Sequence, residues 1–406
     1  MRWALAAGAA LVFLAGAAEA RTWRIEPGPN AQAELQQALI EARPGDTVRL
    51  DDGRYVLSAG LSLDVDRVTI RGEGHDRTIL DFSNQRQGAE GLMVTSDRVT
   101  LRDFAVENAK GDAIKAQGCD QISFIRVRAE WTGGPSPNNG AYGLYPVNCT
   151  NVLIEESIAR GASDAGIYVG QSRNIIVRAS LAELNVAGIE IENSFNADVY
   201  RNTTTRNTGG ILVFDLPGLP QVGGHSVRVF ENRIVDNNTD NFAPEGNIVA
   251  GVPSGTGVLV MANRNVHIFD NEIGDNGTVN VMLIAYRGEI PDTRYNPLPR
   301  DIVIRDNSFG RVGFAPDGDL AALAQMGVAL PDVIWDGAEI YSAAGAPQTE
   351  PVRITMQNNA APGRAPTFLS LGVPVAGAAL SEAQPRMEMP PAASVEAPAR
   401  VRLPQD

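Results

Sequence analysis

Four residues able to hold, move or neutralise a proton recur at matched places in this chain: Lys115, Tyr145, Tyr168 and Glu190, at intervals of 30, 23 and 22 residues. Three of them fill the third position of a Gly-aliphatic-any-aliphatic phrase, as in Gly143-Leu144-Tyr145, Gly166-Ile167-Tyr168 and Gly188-Ile189-Glu190. Alternate residues of an extended strand face opposite sides, so that position points away from its aliphatic neighbours. A phenol or an amine takes or gives a proton once its pKa is shifted, and the flat face of a tyrosine stacks on a sugar ring. Lys115 can neutralise a substrate carboxylate and so ease removal of the neighbouring carbon-bound proton. Glu190 and Glu192 can work as acid and base or hold Ca²⁺. The next outward position adds Gln117 and Glu192 as substrate contacts. The plainer reading is that Tyr and Glu stack along an exposed sheet as ordinary cross-strand neighbours.

The positions match because the sequence repeats. A phrase of aliphatic, any, aliphatic, two residues and then often Asn or Ser begins at Val68, Val99, Ile122, Val152, Ile175, Ala197, Val227, Val266, Ile302 and Val352. Gly143, Gly166, Gly188 and Gly257 each precede a copy by nine residues. A period of about 20–30 residues with alternating apolar positions is the signature of a β solenoid. A single coil cannot bury its apolar face alone, so the core forms by stacking, with parallel strands about 4.8 Å apart. Met93, Lys115, Tyr145, Tyr168, Glu190, Leu212, Leu259 and Met282 then become successive rungs of one outward ladder. Asn202, Asn232, Asn271 and Asn307 lie five residues after their phrase begins, and Asn185, Asn207, Asn237 and Asn276 lie ten after. Stacked asparagines hydrogen-bond along a turn, which makes these residues structural.

Residues 1–20 read as a secretory signal, with Arg2, an alanine-rich apolar stretch and an Ala18-Glu19-Ala20 cleavage site. Residues 21–64 form an N-terminal cap that contains a helix over 31–42, and coils follow over 65–309. A C-terminal cap with a last strand at Val352 fills 310–360. The Ala- and Pro-rich tail 361–406 is expected to be disordered. Gly- and Pro-rich insertions at 131–142, 216–225, 240–255 and 287–300 flank the ladder strand, where they can wall a cleft. No later apolar run approaches a membrane span. The formal charge of −14 without a basic cluster excludes nucleic acid as a natural partner and disfavours steering of a polyanion.

Cys119 and Cys149 each lie three residues before a phrase, at equivalent positions of neighbouring coils. The strand spacing falls inside the Cα separation that a disulfide accepts, and a bridge there contributes roughly 3–4 kcal/mol. The alternative is a ladder of small side chains, since Ser96, Ser172 and Ser194 share the offset. Asp236, Asn238 and Asp240 have the first half of a calcium-loop spacing, but Asn241 stands where glycine is expected. Asp215 and His225 bracket the 216–225 insertion as outlying substrate contacts. No phosphate loop, zinc motif or nucleophile elbow is present.

The coil Gly-Ile-x-Val…Asn-x-Val-x-x-Asn resembles the right-handed parallel β-helix repeats of carbohydrate-binding and sugar-cleaving proteins. The run ELQQALIEARPGDTVRLDDGRYVL is similar to the entry segment of secreted polysaccharide lyases. AYGLYPVNCTNVLIEES, VAGIEIENSFNADVYRN and NFAPEGNIVAGVPSGTGVLVMAN resemble a family of secreted bacterial parallel β-helix proteins. The resemblance covers about residues 25–360. It implies an all-β right-handed parallel β-helix with a helical N-terminal cap and an irregular C-terminal cap, periplasmic or extracellular, with a polysaccharide as partner. Three functions stay open: uronate lyase or C5-epimerase using Lys115 with Tyr145 or Tyr168, a non-catalytic carbohydrate-binding or cell-envelope scaffold, and a hydrolase using Glu190 with Glu192 or Asp215. The three-aspartate signature of polygalacturonase-type hydrolases is missing.

Overall fold

The computed structural model describes residues 20–406 except 291, 344–345, 350, 379–381, 391–392 and 405–406. The expected signal segment therefore lies, but for its last residue, outside the described residues. Three parallel sheets of twelve, eleven and ten strands run the length of the stack, each strand pairing with its equivalents in adjacent coils. The eleven-stranded sheet carries the ladder. Its strands are β1 (Ala59–Leu63), β2 (Gln87–Val94), β3 (Ile114–Gln117), β4 (Tyr142–Val147), β5 (Ala165–Gly170) and β6 (Ala187–Glu192), followed by β7 (Gly209–Phe214), β8 (Thr256–Met261), β9 (Val279–Ile284), β10 (Val333–Trp335) and β11 (Phe368–Ser370).

Register follows the apolar phrase. Ile122, Val152, Ile175, Ala197, Val227, Val266 and Ile302 are successive Cα partners in the twelve-stranded sheet. In the ladder sheet the inward row is Ile114, Leu144, Ile167, Ile189, Ile211, Val258 and Val281, all fully buried. A slip of one residue would turn each of these outward, which is why the period fixes the pairing.

The two asparagine rows form continuous ladders inside the turns. Asn202 Nδ2 donates to Asn232 Oδ1 at 3.0 Å, Asn232 Nδ2 to Asn271 Oδ1 at 3.0 Å, and Asn271 Nδ2 to Asn307 Oδ1 at 2.9 Å. The row Asn185, Asn207, Asn237 and Asn276 repeats the pattern. Left-handed backbone falls on the residue just before the first ladder, at Arg201, Glu231, Asp270 and Asp306, with φ between 54° and 56°. The recurring glycine of the Gly-aliphatic phrase has the same origin. A Cβ at Gly166 would meet Asn185 Nδ2 at 2.5 Å, and one at Gly257 would meet Asn280 O at 2.5 Å and Asn276 Nδ2 at 2.8 Å. Those glycines make room for the ladder.

Helix α1 (Ala31–Glu41) covers the open first coil with Ala31, Leu35, Ala38 and Leu39 buried. That coil begins earlier than the expected residue 65: Thr47–Leu50, Gly53–Val56 and β1 pair with Thr69–Arg71, Thr78–Asp81 and β2. Turn residues between these short strands hid the repeat. A second helix, α2 (Gly318–Gln325), lies within the C-terminal cap. The last strand of the twelve-stranded sheet is Ile354–Gln357, with Ile354 and not Val352 opposite Ile302.

The tail departs from its expected disorder. β11 adds to the ladder sheet, and Val401 is buried against Ile176 and Tyr200, with its N–H donating to Asp198 Oδ2 at 3.1 Å. A single valine supplies what composition concealed. Burial of that side chain is worth about 1.5–3 kcal/mol, so a chain ending at Pro390 is expected to melt a few degrees lower. An unchanged Tm by calorimetry would show that the segment adds nothing there.

Cys119 and Cys149 are joined in a disulfide with Cα atoms 4.6 Å apart, and there is no free cysteine.

Candidate functional site

Lys115 pairs with Tyr145, and Tyr168 with Glu190, as successive rungs; Leu144 opposite Ile167 ties the two halves together. The ladder is real, but it is not an open stripe. Glu190 is 1% exposed, Glu192 6% and Lys115 20% on its side chain. The covering comes from the outer apolar cluster, in which Val249, Val252, Tyr295 and Leu320 pack on Leu212, Leu259 and Met282. These residues come from the 240–255 and 287–300 insertions and from α2. At the other end Gln117 is exposed.

Two chemically distinct halves result. Toward the N-terminal coils, Tyr142, Tyr145 and Tyr168 form a cluster with ring centroids 4.4–5.0 Å apart. Lys115 Nζ lies 5.0 Å over the Tyr145 ring and 4.0 Å from Glu90. Beneath them the Tyr168 hydroxyl donates to Glu192 Oε1 at 2.6 Å, and Gln171 Nε2 donates to the same oxygen at 3.3 Å. Neither oxygen of Glu190 meets a donor from any other described residue. The Glu192 carboxyl acts on it through its charge, and two such groups in one buried place favour the protonated form of Glu190. Toward the C-terminal coils the rungs turn apolar, and a cleft of about 690 Å³ opens among Phe214, Met261, Met282, Tyr286 and Leu320.

Burial sets the proton positions. It holds the Glu190 carboxyl well above the usual range, and the Glu192 and Asp164 charges add to the effect. Burial raises Glu192 too, while the bond from Tyr168 opposes the rise. The donors are unevenly placed: Glu192 accepts from Tyr168 and Gln171, whereas Glu190 meets none, so a charge is better held on Glu192. Asp164, bonded by Tyr142 and Asn247, is pushed up to about 7 by burial and then by Glu192. Burial also lifts Asp112 to about 6 against the pull of Lys115, and Asp215 to about 6. Tyr145 is raised to about 12, chiefly by burial.

These shifts have a definite sign for stability. A carboxyl whose folded pKa exceeds its unfolded value binds more protons when folded, so stability is lost as pH rises from about 4 to about 7. Asp215 alone, moved from 3.8 to about 6, contributes roughly 3 kcal/mol to that loss. Asp46, Asp81, Asp103 and Glu183 are lowered and act oppositely, withdrawing stability as pH falls below about 4. The protein is therefore expected to be most stable near pH 4–5, and Asp164→Asn should flatten the decline above it. A Tm that rises steadily from pH 5 to 8 would contradict the buried protonated cluster.

The remaining candidates lie apart from this cluster or are otherwise engaged. Asp215 accepts the Gly223 and Gly224 N–H groups at 2.9 and 2.8 Å and closes the 216–225 insertion, while still facing Glu192 electrostatically. His225 is on the twelve-stranded sheet, stacked on Phe195. Asn238 donates to Asp236 Oδ1 and to Asp275 O, and accepts from Gly277 N, so it binds coil to coil; Asp240 is exposed. Among the described residues no three His, Cys, Asp or Glu side chains are grouped to hold a metal ion. Tyr142, Asp112 and Asp164 were not singled out from the sequence. The signal was present: each lies three or four residues before an outward rung, where the chain enters the sheet.

No curated protein matches this chain. The family described as the right-handed β-helix region matches over residues 90–239 and 136–291. Among solved structures, the endo-xylogalacturonan hydrolase of Aspergillus tubingensis has a TM-score of 0.57 at 15% identity, covering 86% of this chain and 95% of that one. DFA-IIIase of Arthrobacter chlorophenolicus A6, in complex with DFA-III, has a TM-score of 0.53 at 12% identity, covering 82% and 94%. The mannuronan C-5 epimerase AlgE4 A-module of Azotobacter vinelandii has a TM-score of 0.50 at 15% identity, covering 82% and 91%. At these identities the likeness is one of architecture, and a hydrolase and an epimerase share it. Three stacked parallel sheets, the matched region and these neighbours together make the chain a member of the right-handed parallel β-helix proteins.

Proposed function

We propose that this protein acts outside the cytoplasm on a polysaccharide and cleaves it by hydrolysis, with Glu190 as general acid. The observation that supports this best is the buried Glu190–Glu192 carboxyl pair beside Asp164. In the reaction Glu190 gives its proton to the leaving glycosidic oxygen as that bond to the anomeric carbon breaks. Water forms the new bond to that carbon and passes its proton to the ionised form of Asp164. Tyr142 and Tyr145, half-exposed beside Lys115, offer the ring faces on which a sugar stacks.

The lyase or epimerase reading asks Lys115 to neutralise a uronate carboxylate. Here Lys115 already faces Glu90, and its charge also acts on Asp112, so a second carboxylate would compete with both. A binding scaffold without turnover is the second reading, favoured by the near-complete burial of Glu190 and Glu192. A panel of neutral and uronate polysaccharides, offered with and without Ca²⁺, separates the three. Reducing ends released without ultraviolet absorbance support hydrolysis. The absorbance of an unsaturated uronate would transfer the chemistry to Lys115 and Tyr145. Binding without product would leave the scaffold.

A further inference from the structure

A basic and aromatic column runs down one edge of the twelve-stranded sheet. Arg173, Phe195, His225, Arg264 and Arg300 are successive Cα partners, each the first residue of its strand. The Arg173 guanidinium lies 5.2 Å over the Phe195 ring, and the Phe195 and His225 rings stack at 4.6 Å with 17° between planes. Gln221, from the 216–225 insertion, accepts from Arg173 Nε at 3.1 Å. A hollow of about 460 Å³ opens here, with Asn148, Gln171, Arg173, Phe195, Gln221 and Arg294 among its walls.

Three arginines in five rungs are unexpected on a chain of net charge −14. Arg264 and Arg300 are direct cross-strand neighbours, and Arg300 also acts on the Asp215 carboxyl, which leaves Arg173 and Arg264 as the cations flanking the Phe195–His225 stack. Burial, and then Arg264, lower the His225 pKa, so its ring is neutral at pH 7 and serves as a stacking face beside Phe195. Flat rings, side-chain amides and cations at strand spacing together suit a chain of sugars that carries carboxylates. The column lies one turn beyond the ends of β5 and β6: Arg173 follows Gly170, and Phe195 follows Glu192, by three residues. Gln171, one wall of the hollow, donates to Glu192, so the column adjoins the carboxyl cluster.

We propose that this column is a binding site for an acidic polysaccharide, with Arg173 and Arg264 taking carboxylates and the Phe195–His225 stack taking a ring face. It does not depend on hydrolysis in the groove. The test is titration of the full chain with hexagalacturonate and with maltohexaose as its neutral counterpart. Hexagalacturonate is expected to bind, and to weaken as salt rises from about 0.05 to 0.5 M, because exposed charges are screened. Arg173→Ala/Arg264→Ala should weaken it at least tenfold with unchanged circular dichroism and Tm, and Phe195→Ala should weaken it several-fold. Arg201→Ala/Arg233→Ala, which removes two exposed arginines from other positions, should leave it unchanged. Equal binding of the two sugars, no binding of either, or binding that survives the Arg173/Arg264 double change would each overturn the assignment. Cleavage assays on Glu190→Gln report on the groove separately.

Discussion

Glu190→Gln is expected to reduce turnover of a cleaved polysaccharide by about 10²–10⁴-fold, the range that a positioned proton donor supplies, while leaving the fold as stable as before or more so. Glutamine keeps the size of the side chain but has no proton to give. The stability sign follows from the raised carboxyl. Above about pH 5, holding or ionising Glu190 in a buried site costs the folded state, and the amide removes that cost. The pH profile gives a second readout. Wild-type activity should fall on the alkaline side as the acid loses its proton, and the residual activity of the variant should lack that limb. Full turnover by Glu190→Gln would remove the residue from the chemistry and leave the carboxyl pair as a structural feature.

Asn232→Leu should be the most damaging single change to stability, at about 3–5 kcal/mol. Asn232 Oδ1 accepts from both the backbone N–H and Nδ2 of Asn202, at 2.9 and 3.0 Å. Its own Nδ2 donates to Val199 O and to Asn271 Oδ1, and its backbone N–H donates to Asn271 Oδ1. Leucine would strand two buried donors of Asn202 and withdraw one from Asn271, in a place that water does not reach. Asn196, with its left-handed φ of 58° and an exposed side chain, serves as comparison; Asn196→Ala should cost far less. Chemical denaturation measures both. A loss below about 1 kcal/mol for Asn232→Leu would mean that the ladder decorates the turn without holding it.

Architecture was legible because each coil repeats the same inward choices. Ile122, Val152 and Ile175 announce a strand, and Asn202, Asn232 and Asn271 announce the turn after it. Facing was legible for the same reason, since alternation puts Tyr168 and Glu190 opposite the core. What alternation cannot show is what lies on top of an outward face. The insertions that bury Glu190 have no period, and Val249, Tyr295 and Leu320 reach the ladder from three unrelated segments. Hence the sequence suggests an exposed stripe, whereas the folded chain holds a buried carboxyl pair. Asp164 went unnoticed because its role comes from its surroundings: Tyr142, Asn247 and Glu192 meet it from different segments of the chain. The order of the tail is hidden for a similar reason. Alanine and proline dilute its composition, but Val401 has only to find one apolar seat among Ile176, Tyr200 and Phe230.

That seat changes how the stack comes apart. In a simple solenoid each coil touches only its neighbours, so the last coil can peel away and the rest follow one at a time. Here the contact between Val401 and Asp198 stitches the far end back to the middle, 203 residues earlier in the chain. The terminal coils can fray only after that stitch is undone, which couples the unwinding of one end to the integrity of coils it never touches.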